Sequence, residues 1–137
     1  MIIESRWTND YGFDCVITFN DGGYRCGYVG IPKNHPYFKK DYSKIHIPVN
    51  GGLTYSDFSN DFDSNNNLWY LGFDCNHGFE EHDPESLKKY YPDIYVIYMN
   101  LLDTTNIVPG KYVMTLNKTI DQVKILEQFL ISALDLD

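Results

Sequence analysis

The sequence predicts an α+β fold, in which an antiparallel sheet carries short helices and a C-terminal amphipathic helix. Two alternating segments around a glycine-rich turn indicate a β-hairpin, and an apolar run near mid-chain indicates a buried strand. The C-terminal segment repeats apolar residues at helical spacing. Since 137 residues are enough for one modest core, we predict that residues 1–137 form a single domain.

The clearest element is a hairpin formed by residues 13–19 and 24–29. Both segments are rich in β-formers, and the turn Asn20-Asp21-Gly22-Gly23 between them tolerates positive φ. A disulfide inside this hairpin depends on how the two strands pair.

A two-residue turn at positions 21–22 sets the expected pairing. It places Cys26 opposite Ile17, and Cys15 opposite Tyr28. Both thiols then lie on one face of the hairpin but diagonally, so a disulfide between them is not expected.

The middle of the chain is predicted to be mostly loop. Prolines end the hairpin strand, and residues 37–43 are expected to make a short helical turn. Residues 45–47 and 53–55 are expected as short strands or extended segments. Residues 57–67 are polar and lack apolar periodicity, which predicts an exposed loop.

Residues 68–75 form an apolar run that predicts a strand. An acidic loop that turns at Gly78 leads to a short helix over residues 85–90, and Pro92 is expected to end that helix. Residues 94–102 stay ambiguous: tyrosines and β-branched residues favour a strand, whereas the family resemblance given below leaves room for a helix.

The C-terminal segment predicts an amphipathic helix that packs on the sheet. Thr119 and Gln122 form a candidate capping box at its start. The apolar positions at helical spacing are Ile120, Val123, Leu126, Leu130, Ala133 and Leu134.

The charge balance favours a protein partner over nucleic acid. The formal net charge is -8, whereas direct binding to nucleic acid needs a basic stripe. An acidic, tyrosine-rich surface suits a basic protein, including one whose basic groove normally holds nucleic acid. The alternative is that the acidity only keeps the protein soluble.

Cysteine usage and hydropathy predict a cytoplasmic protein. The three cysteines are an odd number, and no basic and then apolar leader precedes the first strand, so reduced thiols are expected. The longest uncharged apolar stretch, residues 94–102, is about half the length that crosses a bilayer, so no membrane span is expected.

Two thiols and two imidazoles form a candidate metal site. Cys75 and His77 are two residues apart in an extended segment, so both side chains can point toward one ion. Cys26 and His35 could complete a four-ligand set, which suits zinc.

A closed site of this kind would stabilise the fold by roughly 10 kcal/mol or more. The alternative is that each cysteine is a small buried apolar residue and each histidine a hydrogen-bonded side chain. Cys15 and His46 are the reserve ligands, and Asp74 or Glu80 could supply an oxygen donor.

A set of motifs resembles a family of small phage and prophage proteins. The motifs are GYRCGYVG (residues 23–30), NHP (34–36), GGLTYS (51–56) and WYLGFDCNH (69–77). The match is suggestive of the streptococcal-phage anti-CRISPR metalloproteins that inhibit the type II RNA-guided DNA endonuclease.

The resemblance implies a zinc-containing α+β domain with Cys26, His35, Cys75 and His77 at the recurrent metal-ligand positions. It implies action in the host cytoplasm by direct binding to the bacterial type II CRISPR effector nuclease (Cas9), without catalysis. This chain departs from the pattern at Asn50, where relatives are expected to have histidine, and in its later acidic residues.

An acidic protein could occupy the positively charged channel of such a nuclease. The candidate contacts lie in the polar loop and after the Cys-x-His motif: Tyr55, Asp57, Phe58, Asp61, Phe62, Glu80, Glu81 and Asp83. The alternative for each is a solvated loop residue. A metal-dependent hydrolase that uses His77 and an acidic neighbour is the alternative function, and a structural or regulatory phage protein is a third.

Overall fold

The computed structural model describes residues 1–77, 80–102 and 112–135. The proposed turn at Gly78 lies outside these residues. The described strands are β1 (Ile2–Thr8), β2 (Asp14–Phe19), β3 (Arg25–Pro32), β4 (Tyr55–Asp57), β5 (Leu68–Asp74), β6 (Glu80–Glu81) and β7 (Tyr112–Val113). The described helices are α1 (Pro84–Tyr90), α2 (Pro92–Leu102) and α3 (Leu116–Ser132), with 3₁₀ turns at Tyr42–Lys44 and Ala133–Asp135.

Five of the strands form an antiparallel sheet in the order β1-β2-β3-β5-β4. The predicted α+β fold class is therefore confirmed. Short β6 and β7 pair in parallel beside it. The sequence prediction missed β1, because charged Glu4 and Arg6 interrupt its apolar pattern. Glu4 pairs with Arg25 of β3, and Arg6 pairs with Asp14 of β2.

The predicted hairpin register is wrong by one residue. Its loop has three residues, since Asn20 and Tyr24 face each other, and Gly23 takes the left-handed conformation with φ of 86°. The extra residue pairs Cys26 with Thr18 and Cys15 with Val29. A one-residue slip turns side chains to the other face, so the two cysteines lie on opposite faces of the sheet. All three cysteines are free thiols in the structure.

One face of the sheet forms the core against α3. Gly27 of β3 allows this contact, because a Cβ there would lie 2.6 Å from Phe73 of β5 and from Val123 of α3. The most completely buried core residues are Phe13, Cys15, Ile17, Val29, Ile31, Leu71, Val123, Leu126 and Leu130.

The amphipathic C-terminal helix is confirmed, but the capping prediction is wrong. The N-cap is Thr115, whose hydroxyl accepts a hydrogen bond from the Lys118 amide, so α3 begins one turn earlier than the sequence predicted. Thr119 is buried inside the helix and donates to the Thr115 carbonyl. A threonine hydroxyl can accept a hydrogen bond from an amide as an N-cap or donate one to a carbonyl inside a helix. Only the packed helix shows which of these roles each threonine has.

Aromatic side chains from the polar loop cover the opposite face of the sheet. Phe62 packs against Tyr28 and Tyr70, with ring centroids 5.1 and 5.3 Å away. Phe58 instead packs edge-on against Trp69 of β5, whose side chain lies on the core side of the sheet. The loop over residues 57–67 is therefore attached to the sheet through its rings. Most of its polar positions are exposed, but Ser59 is buried and Asp63 is half-buried.

Residues 94–102 belong to helix α2, so the ambiguity in the sequence resolves in favour of a helix. Pro92 begins α2, as expected of proline at a first helical position. The helix lies beside α1 and leaves Val96, Ile97 and Leu101 more than half exposed. Within the described ranges, no helix combines the length and the apolar character needed to span a bilayer.

A buried ion-pair network ties β1, β3 and α1 together. The Arg25 guanidinium, 3 % exposed, contacts the carboxylates of Glu4 at 2.6 Å and Asp83 at 2.8 Å. It also donates to the Ser86 hydroxyl and to the Met114 carbonyl. Burial raises the pKa of Asp83, but hydrogen bonds from Arg25 and Ser86 more than offset this, and its pKa lies below the ordinary value.

Candidate functional site

The structure places the four predicted zinc ligands in different surroundings. Cys26 pairs with Asp74 across β3 and β5, so both side chains project from the aromatic-covered face. Cys75, the next residue after Asp74, lies in the core cluster on the α3 side, with its sulfur 4.0 Å from the Thr119 hydroxyl. The two sulfurs therefore belong to opposite faces of the sheet.

His35 is buried at a third position. Its Nε2 lies 2.8 Å from the Leu130 carbonyl of α3, and its Nδ1 accepts a hydrogen bond from the Tyr37 amide. Both ring nitrogens thus have backbone partners, and Phe13 packs edge-on against the ring. Burial lowers the pKa of His35, which keeps the imidazole neutral.

His77 forms the centre of a polar group that we call the loop cluster, composed of His77, Glu80, Asn50 and Gln122. The His77 Nδ1 contacts the Glu80 carboxylate, which also accepts from the Asn50 amide group at 3.0 Å. The Asn50 backbone N–H donates to the Gln122 side chain of α3 at 2.8 Å. The cluster therefore joins β6, the turn over residues 49–52, which we call the glycine turn, and α3.

Steric crowding explains why glycine occupies the turn beside the loop cluster. Gly51 takes a φ of 71°, and a Cβ at this position would lie 2.1 Å from His77 Nε2. No side chain fits between the turn and the imidazole. The sequence indicated the glycine pair and the departure at Asn50, but it did not indicate that Gln122 would contact Asn50.

The loop cluster resembles the arrangement by which proteins orient a histidine. A carboxylate on one ring nitrogen fixes the tautomer and the direction of the other nitrogen, in metal sites and in general-base pairs alike. The other nitrogen of His77 lies 3.7 Å from the Asp74 carboxylate. Glu80 is only 6 % exposed, so this carboxylate serves His77 and Asn50 rather than the surface.

The four residues do not fit a closed zinc site as they are placed. Cys26 and Cys75 are on opposite faces, and both nitrogens of His35 have backbone partners. In the part of the chain that the structure describes, no group of three or more His, Cys, Asp or Glu side chains could hold a metal ion. Zinc at these positions stays a prediction; about one zinc per chain in protein purified without chelator would support it, and none would reject it.

The reserve ligands lie elsewhere. Cys15 is in the core, where the carboxylate of Glu127 lies 3.6 Å from its sulfur and also accepts from Asn9 and Trp7. His46 is exposed and lines an open cleft of about 460 Å³ beside Ile47.

The thiols are expected to react slowly in the folded protein. Burial raises the pKa of Cys75 to about 12 and that of Cys26 to about 11, and it raises the pKa of Cys15 further still. Because the thiolate is the reactive form, we expect an aromatic disulfide reagent at pH 8 to modify all three more than about a hundredfold slower than free cysteine. Unfolded protein is the control, in which three thiols per chain should react fast. One thiol that reacts at the free rate in folded protein would contradict this.

The predicted partner-binding residues fall into two groups. Those after the Cys-x-His motif serve the fold: Glu80 is in the loop cluster, Asp83 caps α1 and pairs with Arg25, and Glu81 accepts a hydrogen bond from Tyr98. Those in the polar loop differ: Asp57 and Asp61 are exposed.

Asp57 ends β4, one of the two edge strands of the five-stranded sheet, and Asp61 follows it in the polar loop. Burial raises the pKa of Tyr55 in β4, and the charges of Asp57 and Asp61 raise it further, which places both carboxylates near the Tyr55 hydroxyl. At the N-terminal end of the strand, the Thr54 hydroxyl donates to Asp74 at 3.2 Å. We call this surface, formed by β4 with Asp57, Asp61 and Asp74, the acidic edge.

No protein-family model, curated protein or solved structure matches this chain.

Proposed function

We propose that this protein is a phage-encoded inhibitor that binds a bacterial type II RNA-guided nuclease stoichiometrically in the host cytoplasm and catalyses no reaction. The motif resemblance suggests the partner. The acidic edge supplies the surface chemistry that suits it, because such a nuclease holds its heteroduplex in a positively charged channel.

The observation that carries the proposal is that the acidic edge is attached to a rigid aromatic base. Tyr55 packs edge-on against Tyr28 at 5.3 Å, and Phe62 packs against Tyr28 and Tyr70. Because this packing orders the backbone that carries the carboxylates, less conformational entropy is lost when they bind. Their field also steers a basic partner during association.

The size of the surface is compatible with such an interface. The chain exposes 7850 Å², and an ordinary interface buries about 800 Å² on each partner, which is about a tenth of that. Blocking of this kind requires anchors and complementary charge but no turnover. The loop cluster and the buried Arg25 network are not needed for it.

The test is a titration of purified protein into guide-loaded type II nuclease, with complex formation and DNA cleavage measured together. Inhibition should be complete near one inhibitor per nuclease and should weaken as salt rises, since the attraction is screened. Absence of binding to any type II nuclease tested would reject the proposal.

Charge reversal at the acidic edge should abolish most of the inhibition. We expect Asp57→Lys combined with Asp61→Lys to weaken binding by about a hundredfold or more, because two attractive charges become repulsive. The matched control is Asp10→Lys with Asp93→Lys, which changes the net charge equally at exposed positions outside the acidic edge. Equal weakening by both double variants, measured by titration calorimetry, would show that only net charge matters and would contradict the assignment of the surface.

The loop cluster favours a second candidate, a hydrolase that acts on a bacterial defence component and depends on a metal. The observation for it is the contact between His77 and Glu80. The asparagine at position 50, where relatives are expected to have histidine, speaks against it. Substoichiometric, time-dependent inhibition that His77→Gln abolishes would favour this candidate. Stoichiometric inhibition that survives His77→Gln would favour the binding protein.

A further inference from the structure

A small cleft between two loops combines cationic, aromatic and amide side chains. Its volume is about 270 Å³, and it lies between the loop that follows β3 and the polar loop that precedes β5. The side chains that line this lysine cleft are Lys33, Phe38, Lys39, Phe58, Asn66 and Asn67.

The backbone of the lysine cleft is unusual at two positions. Lys39 has a φ of 65° and Asn66 a φ of 54°, and these are the non-glycine residues with positive φ in the described part of the chain. Both line the same cleft. Left-handed conformations are unfavourable for a residue such as lysine, and they concentrate at ligand sites, where the surrounding structure holds them.

The surrounding contacts hold both loops. The Trp69 indole donates to the Lys40 carbonyl at 3.0 Å, immediately after Lys39. The Asp63 carboxylate accepts from the backbone N–H groups of Asn65, Asn67 and Leu68. The acidic side chain closest in sequence to the cleft asparagines is therefore engaged with the backbone.

The charge of the lysine cleft is opposite to that of the protein. Lys33 and Lys39 are exposed, and no acidic residue is among the lining side chains, although the chain has a net charge of -8. Two ammonium groups at one small cleft favour a compact anion. A polyanion would be repelled by the rest of the surface.

The floor of the lysine cleft is aromatic. Phe38 and Phe58 are half-buried and pack edge-to-face, with centroids 5.8 Å apart. Any nucleobase can stack on an aromatic face, and asparagine amides can hydrogen-bond to base edges. The cations therefore match the phosphate of a nucleotide, and the rings and amides match its base.

We propose that the lysine cleft binds a nucleoside 5′-monophosphate. Lys33 and Lys39 contact its phosphate, the base packs on the phenylalanine rings, and Asn66 and Asn67 contact the base edge. The cleft volume is slightly below the roughly 300 Å³ at which ligand pockets begin, so it accommodates one nucleotide and not an oligonucleotide. The cleft adjoins the acidic edge, because Phe58 follows Asp57 in the chain, but its lining includes no residue of that edge. Its occupancy does not depend on the proposed nuclease partner.

The test measures binding of 5′-AMP and 5′-GMP to the full chain by calorimetry, with adenosine, guanosine and inorganic phosphate as partial ligands. We expect at least one nucleotide to bind more tightly than its nucleoside and more tightly than phosphate, with affinity falling as salt rises. No binding of either nucleotide at about 1 mM would overturn the proposal. Phosphate that binds as tightly as the nucleotides would overturn it as well, because the rings would then contribute nothing.

Substitutions in the lysine cleft test which of its residues bind the nucleotide. Lys33→Gln and Lys39→Gly should each weaken nucleotide binding about tenfold, and Lys39→Gly should fold well because glycine accepts the left-handed backbone. Phe58→Leu keeps the apolar volume but removes the ring, and it should weaken binding severalfold. The control is Lys88→Gln on α1, an exposed lysine that does not line the cleft. If the cleft variants, with unchanged circular dichroism, bind as well as this control, the assignment is wrong.

Discussion

Arg25→Met should lower the free energy of unfolding at pH 7 by about 3–5 kcal/mol, as expected when a buried ion pair loses one partner. The substitution leaves the side chains of Glu4 and Asp83, which are 4 % and 14 % exposed, without their cation. The measurement is the urea midpoint with its slope. Lys124→Met removes an exposed lysine from α3 and is the control; we expect it to change stability by less than about 0.5 kcal/mol.

The difference in stability between the wild-type protein and Arg25→Met should depend on pH, with a defined sign. Arg25 and Ser86 hold the pKa of Asp83 below its ordinary value in the folded protein, despite the opposing effect of burial. Asp83 therefore contributes stability above about pH 4, and this contribution is lost as the pH falls through the folded pKa. The wild-type protein should exceed Arg25→Met in stability by less in acid, because the carboxylates of Glu4 and Asp83, which lack their cation in the variant, can then be protonated. A difference in stability that is the same at pH 7 and pH 3 would contradict this account.

Gly27→Ala should destabilise the protein by about 3 kcal/mol, which is large for a single methyl group. The added Cβ would lie 2.6 Å from both Phe73 and Val123. These atoms belong to a neighbouring strand and to α3, so the helix must move away from the sheet to accommodate the methyl group. The loss should appear in both thermal and urea unfolding.

Gly22→Ala is the matched control for this substitution. Gly22 is exposed in the hairpin loop, and the closest atom to an added Cβ is Cε1 of the half-buried Tyr24 at 2.8 Å. That ring can rotate away at small cost, so a change of less than about 1 kcal/mol is expected. Similar losses from both alanine variants would show that helix packing does not depend on Gly27.

Local patterns predicted the fold class because they report on one segment at a time. Alternation and a glycine-rich turn identified the hairpin, and the apolar run over residues 68–75 identified β5. Helical spacing identified α3, whose buried face includes the predicted Val123, Leu126 and Leu130. The strand β1 was missed because Glu4 and Arg6 find their partners on other strands.

The candidate site was harder to predict, since it depends on where segments meet. The Cys75 and His77 spacing suggested a shared ligand, yet Cys75 lies in the core beside α3 and His77 contacts Glu80. His35 was expected beside Cys26, yet it bonds to the Leu130 carbonyl. The partners in these contacts are as many as 95 residues apart along the chain.

The sequence alone determined the hairpin, β5, the C-terminal helix and the charges and rings that the protein carries, because periodicity and composition are properties of short segments. Only the tertiary structure decided which face each side chain occupies. A third loop residue, with Gly23 in the left-handed conformation, shifted the hairpin register and placed Cys26 and Cys15 on opposite faces. The same packing brought the two loops with lysines and asparagines together into one cleft. Register and loop contact are set by interactions between distant residues, and a local pattern does not contain them.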